Sequence, residues 1–171
     1  QKDLGIPFEK ARITIVGAGK MSRLLVTHLV SHGVKKFTVV NKSKDKARAM
    51  IEEYSKDINP DDIDILGLDE LWNAIDKSDI VYTSTGATKP IVTKEKLIAN
   101  NASPADMKKV MYVDVSVPRN VDTSCADIPG VTVYNVDSLK EVVEANSRKR
   151  KKEILKKASA LLMSDSMKYS R

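Results

Sequence analysis

Gly17 and Gly19, separated by a single residue, lie between an apolar run and an amphipathic segment. The run Arg12–Val16 is rich in β-branched residues, and Gly17-Ala18-Gly19-Lys20-Met21-Ser22 follows it directly. A first Gly allows a sharp turn off a strand, and a second lets backbone N–H groups approach a phosphate with no Cβ in the way. The positive end of a helix that begins at Lys20 adds to the attraction for an anion. We therefore predict a turn that binds the pyrophosphate of a dinucleotide, although Ser22 stands where such turns usually have a third Gly.

A second polar segment, Asn41-Lys42-Ser43-Lys44, follows the apolar run Lys36–Val40. In dinucleotide folds the end of the second strand lies beside the adenosine ribose, and sites for NAD usually place an acidic residue there. Here Lys42, the Ser43 hydroxyl and the next helix N-terminus would instead attract a 2′-phosphate. We therefore predict NADP(H) rather than NAD(H). The alternative is that Lys42 and Lys44 are solvated charges at the start of a helix.

Two further loops follow predicted strands. Ser84-Thr85-Gly86 comes after Ile80–Thr83, and Ser116-Val117-Pro118 comes after Met111–Val115. Because ligands of doubly wound sheets lie beyond the carboxyl ends of the strands, we expect both loops to face the dinucleotide. The small polar residues of the first loop suit contact with ribose or nicotinamide, although Gly86 is equally compatible with an ordinary turn.

The elements that must position these loops alternate along the chain. Apolar runs of strand length are separated by segments of helical periodicity, which predicts an α/β fold with a doubly wound, mostly parallel, Rossmann-like sheet. The predicted strands are Arg12–Val16, Lys36–Val40, Ile63–Leu66, Ile80–Thr83, Met111–Val115 and Thr132–Tyr134, and the predicted helices are Lys20–His32, Ser43–Tyr54, Leu68–Lys77 and Lys94–Ala99. On the first helix we expect the core to be formed by Met21, Leu24, Leu25, Leu29 and Val30, with Gly33 as a left-handed cap.

The last part of the chain predicts one long helix. Asp137 is a good N-cap, and neither Pro nor Gly interrupts the sequence from there to Arg171. We therefore expect a lead-in at residues 1–10, an NADP(H)-binding domain at residues 11–136 and a long C-terminal helix at residues 137–171.

The charge is unevenly distributed. The chain carries +6 overall, but residues 1–146 carry −1 and residues 147–171 carry +7. The basic run Arg148–Lys152 suggests contact with RNA phosphates, yet no aromatic residue interleaves with it, so a solvated helix face is the other interpretation.

The composition excludes some classes of protein. The hydrophobic fraction of 42% suffices for a core, and no run reaches the roughly 18 apolar residues of a membrane span. The single Cys125 cannot form an internal disulfide, which favours a reducing compartment.

Several segments together closely resemble the NADPH-binding domain of the glutamyl-tRNA reductase family, over about residues 10–150. They are Gly17–Ser22, Val40–Ser43, Ser84–Gly86, Asp114–Val121 and Tyr134–Asn146. The family usually has Asn-Arg-Ser where this chain has Asn41-Lys42-Ser43, which keeps the charge but loses a planar bidentate donor.

The resemblance implies a reductase that makes glutamate-1-semialdehyde from glutamyl-tRNA in tetrapyrrole synthesis. In that family a cysteine of a separate N-terminal domain holds the glutamyl group as a thioester, and NADPH supplies the hydride. A spinal helix then leads to a dimerisation domain, and the helix from Asp137 resembles its beginning. We therefore expect NADPH as cofactor, glutamyl-tRNA as a partner through the missing catalytic domain, a homodimeric enzyme, and a location in the bacterial cytoplasm or the plastid stroma.

We expect no catalytic residue and no metal ligand in this chain. Cys125 does not match the family's cysteine, and the flanking acids Asp122 and Asp127 should raise the pKa of its thiol. We interpret His28 and His32 as surface or packing residues. Alone, the chain is expected to bind NADPH without reducing glutamyl-tRNA.

Two other functions are compatible with parts of the sequence. One is a shikimate-dehydrogenase-like, NADP-linked oxidoreductase module, because Asn-Lys-Ser after the second strand fits that group. The Asp114–Val121 and Tyr134–Asn146 segments argue against it. The other is a non-catalytic module that senses NADP(H) or binds a partner.

Overall fold

The computed structural model describes residues 5–100 and 108–168. The chain divides into two compact units, Gln1–Asn135 and Val136–Arg171. The first contains the sheet, and the described residues of the second form one helix. Among the described residues no helix is both long enough and apolar enough to span a bilayer.

The first unit alternates strands with helices. The bounds are β1 Ile13–Val16, α1 Lys20–Ser31, β2 Thr38–Val40, α2 Lys44–Glu52, β3 Asp64–Leu66, α3 Leu71–Lys77, β4 Ile80–Thr83, α4 Lys94–Asn100, β5 Val110–Asp114 and β6 Val131–Asn135. The strands form one parallel sheet in the order β3-β2-β1-β4-β5-β6. The predicted doubly wound α/β fold is confirmed, and the strand order reverses between β1 and β4, which is where such sheets bind ligands.

The central strands are apolar because both faces of the sheet are covered. All four residues of β1 are buried, as expected for a strand inside a parallel sheet. The edge strand β3 begins instead with the exposed Asp64. The core thus lies around β1 and β4, directly beneath the loops of interest.

Helix α1 packs on the sheet through a different stripe from the predicted one. Ser22, Val26 and Leu29 are its buried residues, whereas Met21 is 48% exposed and Leu24 is 64% exposed. The expectation of a core role was therefore wrong for Met21 and Leu24. The small side chain of Ser22 packs close behind Gly17, and the face of α1 that it shares with Val26 and Leu29 is the buried one. The predicted left-handed cap is confirmed, with φ of +80° at Gly33.

Other differences concern the ends of elements. A 3-10 turn at Leu68–Glu70 precedes α3, and another at Phe8–Lys10 lies in the lead-in. The final helix α5 spans Val136–Lys168, so Asp137 lies in its first turn and is not the N-cap. The acid is still favourably placed there with respect to the helix dipole. Pro104 in the segment after α4 predicts a break in the helix at 101–104, and those residues lie outside the described ones.

Candidate functional site

The turn after β1 requires glycine at its first position. Gly17 is buried, has φ of +115° and donates its N–H to the carbonyl of Val40 at 2.9 Å. A Cβ on Gly17 would stand against the Ser84 carbonyl oxygen and 2.9 Å from its carbon. The loops after β1 and β4 therefore meet at Gly17, backbone against backbone.

The second glycine leaves an open helix N-terminus. Gly19 is the N-cap of α1, no side chain caps the helix there, and its first turn contains no acidic residue. A Cβ on Gly19 would have no atom within 4 Å. The first N–H groups of α1 thus face open space with the positive end of the helix dipole, which is the arrangement that binds a phosphate.

Ser22 occupies the third position of the motif and faces the sheet. Its side chain is fully buried, and its Oγ has no hydrogen-bond partner among the described residues. The same Oγ is 3.4 Å from the position of a Cβ on Gly17. Ser22 therefore fills the space behind the turn and does not line the cleft.

The segment after β2 carries the cationic end of the site. The Asn41 amide donates to the Ser43 carbonyl at 2.8 Å, and the Ser43 Oγ accepts from the Lys46 N–H at 3.3 Å as the N-cap of α2. Lys44 points to Glu70, with Nζ 3.0 Å from the carboxylate. The hydrogen bond from Lys44 holds the pKa of Glu70 below its ordinary value. Lys44 is thus engaged elsewhere.

The loops after β4 and β5 are joined by a buried amide. The Asn120 Oδ1 accepts from the Thr85 N–H at 3.0 Å, from the Thr85 hydroxyl at 2.6 Å and from the Ser116 hydroxyl at 2.6 Å. The Asn120 Nδ2 donates to the Ala87 carbonyl at 3.4 Å. The side chain of Asn120 therefore links the two loops directly to each other.

A buried carboxylate holds the second of these loops. Asp114, at the end of β5, accepts from the Thr83 hydroxyl at 2.8 Å and from the Ser116 N–H at 3.0 Å on one oxygen. Its other oxygen accepts from the N–H groups of Asn120 at 2.7 Å and Val121 at 2.9 Å. The turn between residues 116 and 121 is consequently wrapped around one acidic side chain.

These loops enclose a cleft of about 610 Å³ at the carboxyl edge of the sheet. Eight of the predicted site residues line it: Gly17, Ala18, Gly19, Asn41, Lys42, Ser84, Thr85 and Gly86. A larger groove of about 730 Å³ lies among Arg12, Thr14, Phe37, Asp64 and Lys77. That groove opens at the start of the strands, and doubly wound sheets bind ligands at the opposite edge, so we take the smaller cleft as the site.

The other predicted residues do not line the cleft. They are Lys20, Met21, Ser22, Ser43, Ser116, Val117 and Pro118. Ser43 and Ser116 are used in the hydrogen bonds of the loops, whereas Val117 is 85% exposed beside the cis peptide bond to Pro118. The cleft thus contains the whole Ser84–Gly86 loop and parts of the Gly17–Ser22 and Asn41–Ser43 segments, whereas Ser116–Pro118 lies entirely outside it.

Sequence reasoning missed five lining residues: Val40, Lys46, Leu68, Ala87 and Ile91. Lys46 had a usable signal, because it lies three residues after the N-cap of α2 and hence in the first helical turn. The sequence gives no comparable signal for Leu68 and Ile91, because they reach the cleft only through the folded conformation of their loops.

Cys125 and the two histidines lie outside the cleft. Cys125 is fully buried with its Sγ 3.8 Å from the Val92 carbonyl. His28 on α1 and His32, the C-cap of that helix, are exposed, with ring centroids 4.2 Å apart. Among the described residues no group of three or more His, Cys, Asp or Glu is arranged to hold a metal ion.

The Cys125 thiol is expected to be unreactive in the folded chain. Burial, followed by the carboxylates of Asp122 and Glu95, raises its pKa to about 11. Asp127, the other predicted contributor, pairs with Lys94 at 3.1 Å instead. At pH 8 only about one thiol in a thousand would be the nucleophilic thiolate. Alkylation by iodoacetamide, followed by mass spectrometry, should be negligible under native conditions and complete in urea. A Cys125→Ala, Thr123→Cys chain, with an exposed thiol two residues away, is the control, and rapid native alkylation of Cys125 would contradict the prediction.

Comparisons with known sequences point to one class of protein. A family model described as Shikimate / quinate 5-dehydrogenase matches residues 1–142. A glutamyl-tRNA reductase of Picosynechococcus sp. is 43% identical over 159 residues, which cover 92% of this chain and 35% of that protein. A chloroplastic glutamyl-tRNA reductase of Oryza sativa is 45% identical over 141 residues, which cover 82% of this chain and 26% of that protein. The chain thus spans about a third of the length of the curated relatives it matches.

Solved structures share the fold. Glutamyl-tRNA reductase from Methanopyrus kandleri has a TM-score of 0.71 at 24% identity and covers 91% of this chain and 37% of its own. The nucleotide-binding domain of glutamyl-tRNA reductase from Thermoplasma volcanium has a TM-score of 0.58 at 20% identity. The match covers 84% of this chain and 88% of that domain. Quinate dehydrogenase from Corynebacterium glutamicum, solved in complex with NAD, has a TM-score of 0.51 at 17% identity. The match covers 72% of this chain and 43% of that one. The chain therefore belongs to the shikimate / quinate 5-dehydrogenase family, and its curated relatives are glutamyl-tRNA reductases.

Proposed function

We propose that residues 11–136 are the NADP(H)-binding domain of a glutamyl-tRNA reductase, preceded by a lead-in at residues 1–10. Residues 137–171 would begin the spinal helix of that enzyme. The observation that carries the cofactor assignment is the cationic end of the cleft. Lys42 and Lys46 line it, and no acidic side chain is among its described lining residues. A 2′-phosphate would be attracted there, whereas the carboxylate with which NAD sites usually accept a hydrogen bond from the free 2′-hydroxyl is absent from the described lining.

The residues present fit a phosphorylated dinucleotide along the whole cleft. Gly19 leaves room for a pyrophosphate at the uncapped start of α1. The Ser84–Gly86 loop, on the other side of Gly17 from Lys42, offers small polar groups for the second ribose and the nicotinamide. Bound NADPH supplies a hydride for reduction of an acyl group. The part of this chain is to bind and orient the carrier beside an acyl group held by another domain.

The relatives' name supports a wider proposal for the complete protein. It would reduce glutamyl-tRNA to glutamate-1-semialdehyde for tetrapyrrole synthesis, as a homodimer, in a bacterial cytoplasm or in the plastid stroma. The tRNA would be engaged through a domain outside this chain, and this chain alone would be inactive. Its cyanobacterial and chloroplastic relatives support that location.

Titration with both cofactors tests the proposal. We expect NADPH to bind at least about tenfold more tightly than NADH, because each lysine contact with a phosphate contributes on the order of 1 kcal/mol. Lys42→Ala and Lys46→Ala should each weaken NADPH binding about five- to tenfold and leave NADH binding unchanged. Fluorescence of the reduced nicotinamide is the measurement.

Lys44→Ala is the matched control. It removes the same charge from the same segment, but Lys44 pairs with Glu70 and does not line the cleft. The NADPH-to-NADH ratio should therefore stay at the unmodified value. Equal affinity for the two cofactors in the unmodified chain, or an equal loss in all three variants, would overturn the assignment.

A further inference from the structure

Asn120 connects the cleft to the rest of the fold, although it does not line the cleft. Its side chain is fully buried, its N–H donates to Asp114, and its carbonyl accepts from the N–H groups of Ile91 and Val92 at 2.8 and 3.0 Å. We propose that Asn120 is a positioning residue for the nicotinamide half of the bound cofactor. This inference rests on the proposed function. It assigns a role to Asn120, which was not among the predicted site residues.

The strand order decides which half of the ligand is concerned. Lys42 follows β2, on one side of β1, and the Ser84–Ala87 loop follows β4, on the other. A dinucleotide with its adenosine phosphate at Lys42 and its pyrophosphate at Gly19 must therefore place its other half along the β4 loop. The position of that loop decides where the nicotinamide lies.

The sheet alone does not hold the β4 loop. Strand β4 ends at Thr83, and the side chain of Asn120 supplies contacts to both Thr85 and Ala87 beyond it. The amide suits this task because its oxygen accepts three hydrogen bonds while its nitrogen donates to a carbonyl. Alanine at position 120 would leave the Thr85 N–H and two hydroxyls without this acceptor.

The test compares a whole cofactor with its adenosine half. For Asn120→Ala we expect the Kd for NADPH to rise about tenfold, while the Kd for 2′,5′-ADP stays within about twofold of the unmodified value. Amide exchange at Thr85 and Ala87 should also become faster. Thr85→Val is the second variant, in case Asn120→Ala fails to fold. It removes the hydroxyl that donates to Asn120 and accepts from the Ala87 N–H, opens no cavity, and should reproduce the selective loss to a smaller extent.

Ser78→Ala controls for a general loss of stability. Ser78 is also buried and hydrogen-bonded, with its Oγ 2.6 Å from the Thr14 hydroxyl, but it precedes β4 at the opposite edge of the sheet. It should lower the melting temperature and leave both Kd values unchanged. If Asn120→Ala weakened the binding of NADPH and 2′,5′-ADP equally, or did not weaken the binding of NADPH, the proposed role of Asn120 would be overturned and the proposed function would stand. Failure of the unmodified chain to bind NADPH would overturn the proposed function and the inference together.

Discussion

Gly17→Ala should destabilise the domain by about 3 kcal/mol or more and abolish cofactor binding. Two effects act together at this position. The left-handed φ of +115° disfavours any side chain, and a Cβ would meet the Ser84 backbone. Because the obstacle is main chain, a rotamer change does not relieve it, and the loops after β1 and β4 would have to separate. Urea unfolding followed by circular dichroism measures the loss.

Gly19→Ala is the matched control for this prediction. Its Cβ has no neighbour within 4 Å and its φ is −93°, so the fold should tolerate it to within a few tenths of a kcal/mol. The added methyl group would nevertheless occupy the space that a pyrophosphate needs, so NADPH binding should fall at least about tenfold. Equal stability losses in the two variants would contradict the steric argument at Gly17. Unchanged NADPH affinity in Gly19→Ala would show that the phosphate lies elsewhere.

Asp114→Ala should be the most destabilising substitution of a polar side chain in the carboxyl-edge loops, at about 3 to 5 kcal/mol. It leaves four buried donors without their acceptor: the N–H groups of Ser116, Asn120 and Val121 and the hydroxyl of Thr83. Each unsatisfied donor costs about 1 to 3 kcal/mol, and the losses overlap because the loop relaxes as a unit. The free energy of unfolding in urea is the measurement.

Asp122→Ala is the control for Asp114→Ala. Asp122 also accepts hydrogen bonds, from the N–H and hydroxyl of Ser124 at 2.8 and 2.7 Å, but it caps a short partly exposed turn. Its loss should cost much less than the loss of Asp114, because the cap is solvated. If Asp114→Ala lowered the free energy of unfolding no more than Asp122→Ala, water would be replacing the carboxylate. The carboxylate would then not be what holds the loop.

Regular elements were predictable because their patterns are local. The glycine turn, the apolar strands and the cap at Gly33 each follow from a few consecutive residues. The buried face of α1 was not predictable from the positions of its apolar residues. The polar Ser22 lies on that face with Val26 and Leu29, whereas the apolar Met21 and Leu24 are exposed. The three-residue β2 was predicted too long, since pairing with its neighbours begins only at Thr38.

The interior of the site was less accessible to sequence reasoning. Thr85 and Asn120 are 35 residues apart, and an Asn in a loop ordinarily indicates only a turn. Lys46 was not among the predicted site residues, although it lies in the first turn of the helix that begins after Ser43. The role of Asn120 was not predictable because its partners Thr85 and Ala87 belong to a segment that only the folded chain brings close to it.

The strand order places the two ends of the cleft in different stretches of chain. One end is formed by Asn41, Lys42 and Lys46 within a single strand-to-helix connection, and the other by loops that Asn120 and Asp114 hold in common. Between them the chain provides the backbone contact of Gly17 with Ser84. Under the proposed function, a few substitutions in one short connection would therefore suffice to change the preference between phosphorylated and unphosphorylated carriers, and the loops that orient the nicotinamide would stay untouched.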